Sequence, residues 1–218
     1  VQTCALPISD FKDADVELKV TPFLINSRGY RAKERLSLGK INYRDENWNE
    51  YEESRFWTKN HHLLVMYYQY IRNVKREEFS VEKVDEILLE ELPERDQMII
   101  RHDWEKIARY VKAGKAHELS ERDFMYLSPA RKGAGGDEKV KYNDKYPKAK
   151  PRAYSFKKSY MTKLFNERML TLEEISYILP GAVLPKEKEF DDILIETLKP
   201  YFGRTVESLK KEFPNYRN

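Results

Sequence analysis

Two carboxylates and an ammonium near the start of the chain are the residues best placed to do chemistry. Asp10 is followed, after six intervening residues, by Glu17, and Glu17 after one more by Lys19. Val16, Leu18 and Val20 alternate with Glu17, Lys19 and Thr21, the period-two pattern of a half-buried strand. At ~3.3 Å per residue this sets Glu17 and Lys19 about 7 Å apart on one face, with Asp10 at the start of the same segment. Acids and an ammonium that converge at a strand end can hold a divalent cation beside a water. Hydrolysis of a phosphodiester asks for that set: oxygen ligands for Mg²⁺ and a positive group near the attacking oxygen. Lys19 could orient hydroxide or offset phosphate charge, and the spacing does not choose between them. The same spacing also fits an ordinary solvated strand face.

The elements that must position these residues can be read along the chain. Residues 15–25 form the first strand, Ser27-Arg28-Gly29 a turn, and Arg35 to Tyr43 a second strand. Trp48 to Lys59 reads as a charged helix or an irregular segment. His61 to Ile71 is a strongly apolar third strand, and Val81 to Leu92 a fourth. Pro93 opens a helix with Met98, Ile99, Trp104, Ile107, Ala108 and Val111 as its core stripe, and Gly114 closes it. A short strand over Asp123–Ser128 precedes a Gly/Lys/Pro-rich loop at 130–151, long enough to imply a purpose. Arg152 to Phe156 leads into a helix through Arg168, and helices follow near 171–178, 188–202 and 205–213. Strands early and helices late give an α/β or α+β fold, with no internal repeat.

Composition narrows the classes of function. The 218 residues are 35% charged and 40% hydrophobic, enough for one substantial domain with a highly charged surface. No apolar run approaches the ~18 residues that span a bilayer, so no membrane partner is expected. The one cysteine, Cys4, excludes a disulfide framework and a cysteine-based zinc site, and fits a reducing cytoplasm. His61 and His62 are adjacent and would face opposite sides of a strand, which rules them out as a pairwise metal site. Gly133-Ala134-Gly135-Gly136 lacks the spacing of a phosphate-binding loop. Charge is uneven. Residues 131–158 hold ten basic side chains against three acidic ones, a local +7 in a chain of net +3. With Tyr142, Tyr146 and Tyr154 interleaved, this segment suits a surface that tracks nucleic-acid phosphates, although many lysine clusters are plain solvated loops.

Asp10-x6-Glu17-x-Lys19 followed by Val20-Thr21-Pro22-Phe23 resembles the core motif of the MutH branch of the PD-(D/E)xK nucleases. Lys33-Glu34-Arg35-Leu36, Gly114-Lys115-Ala116-His117-Glu118-Leu119-Ser120, Lys132-Gly133-Ala134 and Ser159-Tyr160-Met161-Thr162 are similar, in the same order, to the catalytic domain of the GATC-cutting Sau-type restriction enzymes. The resemblance implies a mixed β-sheet core flanked by helices, double-stranded DNA as partner and Mg²⁺ as cofactor. It assigns Asp10, Glu17 and the Leu18 carbonyl to the metal and Lys19 to the attacking water. Lys59 matches a further lysine of the family. The Pro129 to Gly133 turn, with Arg131 and Lys132, and the strand end from Tyr154 to Lys158, with Ser155, Lys157 and Lys158, match its recognition elements. Lys148, Lys150 and Arg152 complete the expected DNA-binding set. Ser128-Pro129-Ala130 and Ser155 depart from the mismatch-repair pattern and favour the restriction branch.

Two expectations concern the ends of the chain. Val1 to Ile8 equals a translated sequencing-library adapter, so residues 1–9 are expected to be non-native and the nuclease domain to occupy 10–218. The family supplies another glutamate from a helix upstream of Asp10, so a chain starting here is expected to be impaired. A second homologous domain, or dimerisation on DNA, is implied as well. The competing functions are a mismatch-repair nickase and a catalytically inactive DNA-binding module of the same fold.

Overall fold

The structure is a computed structural model that describes residues 9–11, 14–26, 29–44, 47–75, 78–132 and 145–168. Its elements are β1 (Glu17–Asn26), β2 (Gly29–Ala32), β3 (Leu36–Lys40), α1 (Arg55–Asn60), β4 (His62–Gln69), β5 (Val81–Leu88), α2 (Glu94–Lys112), β6 (Leu127–Arg131), β7 (Arg152–Phe156) and α3 (Lys158–Arg168). The helices expected near 171–178, 188–202 and 205–213 lie outside the described residues. The chain divides into two units. One gathers the residues up to Glu17, Arg35–Leu63 and Ile87–Met161; the other gathers Leu18–Glu34, Leu64–Glu86 and the chain from Thr162.

The first unit is built on a three-stranded antiparallel sheet in the order β3-β7-β6. All five residues of its middle strand, β7, are buried. Its helix α2 starts just after Pro93, whose carbonyl accepts from Asp96 and Gln97 N–H. Ile100, Trp104, Ile107, Ala108 and Val111 form the buried stripe, whereas Met98 is 65% exposed. Met98 had been expected in that stripe, but it lies two residues off the face set by Ile100 and Trp104 at 3.6 residues per turn. The strand expected at Asp123–Ser128 begins only at Leu127. Residues 121–123 turn as a 3₁₀ helix, and the buried Asp103 carboxylate accepts the N–H groups of Met125, Tyr126 and Leu127 at 2.7–3.1 Å. Those donors are therefore occupied by α2 at the point where β6 starts.

The second unit carries a four-stranded sheet, β2-β1-β4-β5. Gly29, at φ 102°, starts β2, a short antiparallel partner of β1 that the sequence reading passed over. Six consecutive residues of β4 are buried, as its unbroken apolar run requires of a strand covered on both faces. The Phe165 ring of α3 packs on Phe23 and Tyr67 at centroid distances of 5.4 and 4.3 Å. Thr162 Oγ1 accepts from Ala32 N–H, and Asn166 Nδ2 donates to Tyr30 O, fixing the same helix to β2. In β1, Leu18 is buried as expected, but Val20 is only half-buried, and Glu17 and Thr21 of the opposite face are buried. Alternation reads polarity alone, and a polar residue that finds a partner can be buried. The architecture is mixed α+β, in keeping with the nuclease core that the motifs imply.

Candidate active site

Within the six-residue gap between Asp10 and Glu17, the chain pairs with itself. Phe11 and Val16 exchange both backbone hydrogen bonds, at 3.0 and 3.2 Å, as one rung of an antiparallel ladder. Asp10 and Glu17 are the residues that immediately flank this isolated bridge in sequence. Asp10, exposed, precedes β1, which starts at Glu17. Asp15 takes φ 52° in the turn between the bridged residues, a left-handed conformation that aspartate tolerates better than most residues. Ser9 Oγ donates to Asp15 Oδ1, and His61 Nε2 lies 3.5 Å from Asp15 Oδ2, pinning the turn from two sides.

Glu17 is 3% exposed, and Lys59 meets it there. The Lys59 Nζ lies 3.0 Å from each carboxylate oxygen. Helix α1 delivers this lysine from its last turn: Ser54 caps the helix by accepting from Trp57 N–H, and the six-residue helix ends at Asn60. The Lys59 stem passes Gly39, where an added Cβ would stand 3.7 Å from Lys59 Cδ. Lys59 was legible only through the family resemblance, as a DNA contact; its ion pair with Glu17, and the pinning of Asp15 by Ser9 and His61, carry no signal in spacing. Leu18, buried, and Lys19, half-buried, follow Glu17 in β1.

The remaining expected residues separate into two groups. Arg131, Lys132, Lys148 and Lys158 are exposed, and Lys150 is half-buried. Arg152 is 5% exposed; its guanidinium donates to Pro129 O at 2.6 Å and to Leu119 O, and burial lowers its pKa. Ser155 is 1% exposed in the middle strand. Lys157 Nζ donates to Phe124 O at 2.7 Å and Glu121 O at 3.3 Å. Arg152, Ser155 and Lys157, expected on a DNA-facing surface, are thus turned inward or tied to carbonyls. The sequence shows their charge and polarity but not the backbone oxygens that claim them.

The oxygen donors suit a hard divalent cation. Two carboxylates flank the Phe11–Val16 bridge in sequence and a backbone carbonyl follows the second, all of the donor type that Mg²⁺ takes. An ammonium already balances the buried carboxylate, so the site tolerates a positive charge there. Among the described residues, no group of three or more His, Cys, Asp or Glu side chains is placed to hold a metal ion. No described helix is long and apolar enough to cross a membrane.

Comparison with known proteins agrees with the motifs. Residues 3–103 match the family described as DNA mismatch repair enzyme MutH. Over 209 residues the chain is 37% identical to the type II restriction enzyme Sau3AI of Staphylococcus aureus, covering 94% of this chain and 42% of that enzyme. The chain therefore spans less than half the length of the curated relative it matches. Residues 3–103 thus resemble the MutH family, and the likeness to a type II restriction enzyme extends along nearly the whole chain.

Proposed function

We propose that this protein is a Mg²⁺-dependent type II restriction endonuclease that hydrolyses phosphodiester bonds of double-stranded DNA at GATC. One observation carries the reading: a buried Glu17 carboxylate paired with the Lys59 ammonium, within the D-x6-E-x-K frame. Asp10, Glu17 and the Leu18 carbonyl would hold the ion. When bound, Mg²⁺ supplies Lewis-acid stabilisation of charge on the scissile phosphate and eases ionisation of water. The Phe11–Val16 bridge ties the residues beside Asp10 to those beside Glu17, and Asp15 is held by Ser9 and His61. Lys19 acts at the attacking water, orienting it or offsetting the charge that develops. The exposed Arg131, Lys132, Lys148 and Lys158 contribute phosphate contacts that hold the duplex, since lysine and arginine at the backbone supply affinity without sequence information.

Cutting both strands takes two such centres, which a second homologous domain or a second copy of this chain would provide. The identity to a restriction enzyme favours this reading over a mismatch-repair nickase. The test is a digest of supercoiled plasmid in Mg²⁺, with cut sites mapped, beside a gel shift in Ca²⁺. Cuts at GATC alone, lost in Lys19→Ala with binding kept within a few-fold, are expected. Losing one such group at the reaction centre costs roughly 10²–10³ in rate. Wild-type rates in that variant, or cuts unrelated to GATC, would refute the proposal.

A further inference from the structure

Beside Lys59 the first unit holds a second cationic feature. A cleft of about 200 Å³ opens between β3 and α1, lined by Leu38, Gly39, Lys40, Arg55, Lys59 and Asn60, with Tyr154 behind them. Three of these residues are cations and none is an acid. Lys59 is committed to Glu17, whereas the side chains of Lys40 and Arg55 have no hydrogen-bond or ion-pair partner among the described residues. Lys40 is exposed and Arg55 half-buried, so both charges remain accessible. A cleft of this size falls below the ~300 Å³ at which drug-sized ligands begin to fit, and suits a tetrahedral anion better than a whole nucleoside.

The backbone at the mouth is shaped for close approach. Gly39 takes φ 112° where the β3–β7 register shifts, and leaves its own side-chain position empty. Asn60 is 1% exposed; its Nδ2 donates to Phe56 O at 2.8 Å, and its buried Oδ1 has no partner among the described residues.

We infer that this cleft seats a backbone phosphate of the DNA next to the one being cut, with Arg55 and Lys40 gripping its oxygens. The inference rests on the nuclease reading above and adds to it the residues that position the strand. Because Lys59 reaches both the cleft wall and Glu17, a phosphate held here is registered against the reacting centre. Arg55 and Lys40 are positioning residues; neither is assigned to the chemistry.

The test uses the full chain and the double variant Lys40→Gln/Arg55→Gln. Inorganic phosphate titrated into the wild type should shift the Gly39 amide resonance saturably, and the double variant should lose that shift. In DNA binding with Ca²⁺, the double variant should flatten the slope of log K against log[salt] by about 0.9 for the one phosphate lost. Single-turnover cleavage at saturating DNA should fall about tenfold or more, because a misplaced strand loses rate even when bound. No phosphate-dependent shift in the wild type, or a shift that persists in the double variant, overturns the inference. A lost shift with unchanged salt slope and unchanged cleavage makes the cleft an adventitious anion site and overturns it too. Were neither protein to cleave, while the shift and the slope behaved as expected, the nuclease reading would fail and the phosphate site would stand.

Discussion

Removing the ammonium beside Glu17 isolates the electrostatics of the site from its chemistry. At 3.0 Å and an effective dielectric near 20, the attraction between Lys59 Nζ and one carboxylate oxygen is about 5 kcal/mol before desolvation. Lys59 is a quarter exposed, so solvent screens it and much of that gain is cancelled by taking Glu17 out of water. We expect Lys59→Met to lower stability by about 2–3 kcal/mol, since it leaves a buried carboxylate without this ammonium. Glu17→Gln should cost about half as much, because a neutral amide still accepts from Lys59. The double variant should lose less than the sum, with a coupling of about 1–2 kcal/mol, well above the ~0.5 kcal/mol scatter of independent sites. Urea unfolding at constant m reads all four proteins. Mg²⁺ should restore more stability to Lys59→Met than it adds to the wild type, because a cation at Glu17 replaces the missing one. Additive losses, or a Lys59→Met protein as stable as the wild type, would refute the argument that the pair compensates a buried charge.

Three further outcomes follow from the same structure. Asp103→Ala strips the acceptor from Met125, Tyr126 and Leu127 N–H, and should cost about 3 kcal/mol or more in urea unfolding, with hydrogen exchange at those amides rising first. Burial, the largest cause, and the neighbouring Glu52 raise the Tyr51 pKa above its ordinary value. The folded state thus keeps a proton that the unfolded chain releases near pH ~10, and stability should fall above that pH by up to about 1.4 kcal/mol per unit. Tyr51→Phe should remove that share of the slope in alkaline urea titrations. Lys157→Ala should lower the midpoint of thermal unfolding while leaving the salt dependence of DNA binding unchanged, because its ammonium is spent on Phe124 and Glu121 carbonyls; Lys158→Ala should do the reverse.

The elements were legible where burial on both faces leaves an unbroken apolar run, as in β4, or where Gly and Pro punctuate, as around α2. They were not legible where local chemistry competes with the ladder. Asp103, mid-helix, reads as one more surface acid, yet it delays β6 to Leu127 by claiming three backbone donors. The site was half legible. Asp10, Glu17 and Lys19 stand in a pattern that sequence can find. The bridge between Phe11 and Val16, and the lysine that comes from 42 positions away to meet Glu17, depend on tertiary placement. The basic segment was read as one surface; Arg152 shows why charge alone misleads, since its guanidinium braces two backbone carbonyls in the interior.

The central claim is that phosphodiester hydrolysis is centred on the buried Glu17. It is tested most directly by single-turnover cleavage of an end-labelled GATC duplex in Mg²⁺, at protein concentrations that saturate binding, comparing the wild type with Glu17→Gln. The account predicts a rate at least ~10²-fold lower in the variant, with duplex affinity in Ca²⁺ within a few-fold of wild type, since one carboxylate contributes little to an interface held by many phosphate contacts. Cleavage by Glu17→Gln at the wild-type rate would contradict it and move the chemistry to another part of the molecule.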